Sequence, residues 1–331
     1  MLTLLLVLQA AAPQRPAQLT RFLQQSIALD AAQLDALERG EPVVKVLETR
    51  DRRDVALFGI ITTQATREQY EREMRDFPTS LRTPTRTQLG IFSNPAAESD
   101  VAAVTINSRD VSEMKDCKPG DCVVKLPATD MRRIREQMNW SAPAAELQAQ
   151  LNAYARRRLV EYVSDYRTRG DSAMAIYDDR GNLNVHASEA FAAQLAESPY
   201  VYQTVPSLQN YLADYPHSAL PAGATEILFW SEDVMPRLRP ILNVTHLVVY
   251  TPPELPGMTL AVAKQIYADH YFEAAVDLTA AVDRSPGIYL VVLRRYRFDH
   301  LPGGILNIRG RAIGALRDQL ISDLKRQQGQ H

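Results

Sequence analysis

The chain has 331 residues, 46% of them hydrophobic and 23% charged, with a formal net charge of −2. This is the composition of a soluble globular protein, long enough for one large domain or two ordinary ones. The near-neutral balance gives no footing for nucleic acid, and Arg156-Arg157-Arg158 and Arg294-Arg295 are too short as basic clusters to change that.

The first segment, Leu2 to Leu8, is a short apolar run followed by Gln9-Ala10-Ala11-Ala12. A spanning helix needs about 20 residues. The run instead fits the apolar region of a signal peptide over 1–12, with small residues for cleavage and one domain over 13–331. Gln14 to Ala32 is Pro-broken, then helical. Val43 to Glu48 and Val55 to Thr63 read as strands, the second apolar on both parities and therefore buried on both faces. Thr66-Arg67-Glu68-Gln69 is a capping box opening a helix to Phe77. Gln88 to Phe92 and Val101 to Ile106 are further strand candidates, the second alternatively part of a helix.

The two cysteines lie in Cys117-Lys118-Pro119-Gly120-Asp121-Cys122. The Pro-Gly reversal brings the thiols together, so a structural disulfide is expected. Such bonds persist in oxidising compartments, in keeping with a periplasmic or secreted protein. From about 129 to 216 the chain turns helical, and it reads as an insertion between strand-rich ends. Its longest helix, Ala144 to Arg167, carries Leu147, Leu151, Tyr154, Leu159, Tyr162, Val163 and Tyr166 on one stripe. Sheet returns at Glu226 to Glu232 and Leu242 to Thr251. Leu260 to Ala280 then alternates as one long strand, and Ile288 to Phe298 follows. After Pro302-Gly303-Gly304, Ile305, Ile308, Ala312, Ile313, Leu316, Leu320 and Leu324 mark a C-terminal amphipathic helix.

Lys264 to Phe272, Tyr289 to Leu293 and Pro302-Gly303-Gly304-Ile305 resemble the ending of START-like (SRPBCC, helix-grip) proteins. The resemblance implies an α+β helix-grip fold, in which a curved antiparallel sheet wraps a long C-terminal helix around an apolar cavity. It implies a hydrophobic small molecule or lipid as partner, of lipid, sterol or polyketide type, with transient membrane contact and no chemical change. The alternative is a cyclase or hydratase that uses a cavity histidine as general acid/base.

Parity supplies the candidate ligand residues. His246 shares a face with Leu242, Val244, Val248 and Tyr250. His270 lies on the apolar parity of its strand, and Arg294 shares one with Leu290, Val292 and Tyr296. These place His246, His270, Arg294 and Tyr250 around a cavity beneath the C-terminal helix. No metal or cofactor is called for: zinc ligands, a phosphate-binding loop and a complete calcium loop are all missing from the sequence.

Overall fold

A computed structural model describes residues 15–181, 184–198, 204–234, 238–299 and 308–329. The apolar segment 1–12 and Pro302-Gly303-Gly304 lie outside the described residues. Within them the protein is α+β, with ten α-helices and ten strands. The helices are α1 (Ala17–Arg21), α2 (Ala31–Glu38), α3 (Arg67–Arg75), α4 (Phe77–Ser80), α5 (Ser108–Met114), α6 (Ala128–Gln137), α7 (Ala144–Arg169), α8 (Ala187–Ala196), α9 (Pro206–Ala213) and α10 (Ile308–Gly329). The strands are β1 (Val43–Leu47), β2 (Asp54–Thr63), β3 (Arg86–Ile91), β4 (Ile176–Tyr177), β5 (Val185–His186), β6 (Thr225–Asp233), β7 (Ile241–Tyr250), β8 (Met258–Ala268), β9 (Phe272–Asp283) and β10 (Ile288–Phe298).

Eight strands form one antiparallel sheet in the order β1-β2-β10-β9-β8-β7-β6-β3. The last five in sequence are a plain meander, β6 to β10. The hairpin β1-β2 extends it at one end and β3 at the other, leaving α5 to α9 between β3 and β6 in the chain. All ten residues of β2 are buried, as its two apolar parities required.

Helices cover both faces. On one, α10 packs on β1 and β2 while α3 crosses β7, β8 and β9. Leu320 and Leu324 are buried there with Val55, Leu57, Leu290 and Val292. Gly59 is what allows so close an approach: a Cβ at that position would stand 3.0 Å from both leucines. Thr66 caps α3 by accepting from the Gln69 N–H at 3.1 Å. The opposite face is covered by several shorter elements. Leu37 of α2, Leu159, Val163 and Tyr166 of α7, Phe191 of α8 and Leu208 of α9 all join its core. Gly170, at φ +56, ends α7 so tightly that a Cβ would overlap the Tyr215 carbonyl.

Two sequence expectations are corrected. Val101 to Ile106 is not a strand: a 3-10 turn at Glu98–Val101 leads into irregular chain. Leu260 to Ala280 is two strands rather than one. The chain reverses at Asp269-His270-Tyr271, with Tyr271 at φ +62. Tertiary bonds hold this reversal, since the Lys125 N–H donates to the Asp269 carbonyl at 2.7 Å and the Asp269 N–H donates to the Leu242 carbonyl at 3.1 Å.

Candidate ligand-binding cavities

The expected residues do not converge on one cavity. His246 and Tyr250 face the side of α7, and Arg294 faces α10 on the other side of the sheet. His270 sits in the β8-β9 reversal.

His246 is fully enclosed. Its Nε2 lies 2.7 Å from Glu226 Oε2 and its Nδ1 3.1 Å from the Tyr166 hydroxyl. Tyr215, Tyr166 and Tyr211 surround the ring, the first at 4.7 Å between centroids. Burial lowers the imidazole's pKa, against the pull of Glu226 in the other direction. The neutral ring then has one consistent arrangement: Tyr166 donates to Nδ1, and Nε2–H donates to Glu226, which also accepts from Tyr211. Both nitrogens are thereby engaged by protein groups.

His270 is different. Its Nδ1 faces the Val123 carbonyl and its Nε2 faces Asp110 Oδ2, each at 3.1 Å. Two acceptors require two N–H donors, so the ring is an imidazolium here. Burial opposes the charge, but Asp269 and Asp110 together outweigh it and the pKa is raised. Arg239 ties Asp110 to Glu113 behind it. Arg294 Nη1 pairs with Asp323 Oδ2 of α10 at 2.9 Å, and its Nε lies 3.6 Å from Asp277. It locks the C-terminal helix to the sheet. Tyr250 is buried within the apolar core of the α7 face.

Two cavities open on that same α7 face. The first measures about 290 Å³. Its floor is Leu260 of β8, Leu278, Ala280 and Val282 of β9, and Val291 and Leu293 of β10. Phe22, just after α1, and Leu208 of α9 form the cover, and Gln18, Thr204, Glu254 and Asp283 are its polar lining residues. The second, about 270 Å³, lies under α7 against the β7-β8 end of the sheet. Aliphatic side chains such as Leu126, Ile134, Leu151 and Met174 wall it, together with Tyr154, Tyr162, Tyr267, Asp130, Arg158 and Asp269. Neither is lined by His246, His270, Arg294 or Tyr250. Asp269 was missed because it fell on the outward parity of a supposed single strand; the register shift in β8 between Gln265 and Tyr267 moves Tyr267, and Asp269 after it, to the cavity side.

Cys117 and Cys122 form a disulfide with Cα atoms 4.4 Å apart. It is buried with Met114, Val124, Ile134, Leu151 and Tyr154, the side chains that wall the second cavity. No protein-family model matches the chain, and no curated protein sequence matches it. The bond is compatible with an oxidising compartment. Among the described residues no helix is long and apolar enough to cross a membrane, and no cluster of His, Cys, Asp and Glu could hold a metal ion.

Proposed function

We propose that the protein is an exported, START-like binder of a hydrophobic small molecule, held in the first cavity between the β8-β9-β10 floor and the α1-α9 cover. The observation that carries this reading is the cavity's lining: an aliphatic floor and an apolar cover, with only Gln18, Thr204, Glu254 and Asp283 as polar side chains. Ligand sites are typically apolar with a few placed polar groups, and at about 290 Å³ this one falls just below their usual range of about 300–1,000 Å³. A single acyl chain or a molecule of a few fused rings suits it better than a two-chain lipid. The disulfide supports export to an oxidising compartment, and the antiparallel sheet with a C-terminal helix packed on it supports the START-like resemblance, although the cavity lies on the face opposite that helix. The catalytic alternative needs a histidine in the cavity, and neither candidate histidine lines it.

The test is mass spectrometry of organic extracts of the purified protein, together with uptake of the apolar fluorophore N-phenyl-1-naphthylamine. Wild type should release an apolar molecule and take up the probe once emptied. Ala280→Phe, which fills the floor, should do neither while melting near the wild-type temperature. Equal probe uptake by both proteins would overturn the assignment.

A further inference from the structure

The second cavity carries a reading that does not depend on the first. We propose that it is a binding site for a primary amine with an apolar body, anchored by the Asp269 carboxylate.

Geometry carries the argument. Asp269 is nine-tenths buried and lines the cavity. One of its oxygens accepts from the Leu242 N–H at 2.9 Å. Among the described residues no Lys, Arg or His nitrogen pairs with it, although every other acidic side chain on this cavity has such a partner. Asp130 is held by Arg158 at 3.0 Å and Asp165 by Arg169 at 2.9 Å. A buried carboxylate with no cation in ion-pair contact is costly, and a ligand ammonium would supply that contact.

The surrounding charges point the same way. Asp110 and Glu232 act on Asp269 as like charges, and the His270 imidazolium opposes them. His270 gives both of its N–H groups to Asp110 and the Val123 carbonyl and none to Asp269, and Lys125, whose backbone bonds Asp269, has its ammonium between Asp179 and Asp299. What remains at Asp269 is excess negative charge. Burial first, and then these carboxylates, push its pKa up to about 7.

The tyrosines complete the site. Tyr154 donates to Asp130 at 2.7 Å, Tyr162 to the Ile266 carbonyl and Tyr267 to the Lys125 carbonyl at 3.3 Å. With every hydroxyl engaged, what these residues present to the cavity is aromatic carbon, which attracts a cation and packs an apolar body. A neutral alcohol would use the ring surface but leave the carboxylate unpaired.

The experiment uses the full chain and a matched pair of probes, phenethylamine and 2-phenylethanol, titrated by calorimetry at pH 8. Wild type should prefer the amine by at least about tenfold. Asp269→Asn, which keeps the Leu242 bond, should erase that preference, and Ala155→Phe, which fills the cavity, should abolish binding of both. In wild type the preference should grow from pH 5 to pH 8 as Asp269 ionises; loss of the His270 proton acts in the same direction. This second readout stands even if the Asn variant folds poorly. Equal affinity for the two probes at pH 8, a preference that survives Asp269→Asn, or one that shrinks as pH rises would overturn the proposal.

Discussion

The two faces of the sheet are closed in different ways. On one, the 22-residue α10 runs over β1 and β2 and seats Leu320 and Leu324 against Gly59, with the short α3 beside it over β7 to β9. An amphipathic helix of that length can match a sheet continuously, and its contacts are tight to the van der Waals limit. On the other face several shorter elements meet at angles, and both cavities lie beneath their junctions. The difference teaches where function can reside: the strands under one long helix pack shut, while those beneath the junctions of several short elements keep room for a ligand.

Removing α10 should break the comparison altogether. A chain ending before Ile308 exposes Leu57, Leu290 and Val292, so the expectation is loss of cooperative thermal unfolding by circular dichroism. A truncated chain melting near the full-length temperature would show the helix to be peripheral. Within the intact chain, Leu320→Ala should cost about 2–5 kcal/mol in denaturant unfolding, because its neighbours are pinned and the hole cannot collapse.

Asp269→Asn should work in the opposite direction. A carboxyl whose folded pKa is raised to about 7 destabilises the fold progressively as pH climbs from its unfolded value near 4. The amide does not titrate, so the variant should match wild type near pH 4 and exceed it at pH 8, by on the order of 1–4 kcal/mol. His270 adds a parallel trend in wild type: its raised pKa gives stability that is present at pH 5 to 6 and lost as pH rises through the folded value. A pH-independent gap between Asp269→Asn and wild type would remove the basis for both statements.

Replacing Cys117 and Cys122 by Ser should cost about 2 kcal/mol, the chain-entropy value for so short a loop, and should loosen the wall of the second cavity. Titration of unreduced, denatured wild type should find no free thiol. The smallest effects give the sharpest contrast. Ala280 and Ala281 are neighbours in β9 on opposite faces, the first lining a cavity and the second buried in the α10 core. Ala281→Leu should cost about 1–3 kcal/mol by overpacking, and Ala280→Leu less than about 1. Equal costs in thermal melts would mean that the two faces are packed alike.

The α+β class, the C-terminal helix, the disulfide and the burial of β2 were all legible in the sequence. Each rests on a local pattern: apolar spacing at threes and fours, a Pro-Gly reversal between cysteines, or apolar residues on both parities. The alternation in β7 also identified His246 as facing inward, because a period of two survives without knowledge of the partner strands.

What parity cannot supply is which of two helical layers an inward face meets. His246 and Arg294 each sit on an apolar face, yet those faces are opposite ones. Nor does Asp269-His270-Tyr271 contain the Gly, Pro or Asn that marks a reversal in sequence. The turn exists because Val123, Lys125 and Leu242, remote in the chain, bond to it. The sequence therefore determined the elements and the periodicity of their burial, which are set by neighbouring residues. Tertiary structure alone decided the β8-β9 hairpin, the sorting of residues between faces and the position of both cavities, because each depends on backbone and side-chain partners far apart along the chain.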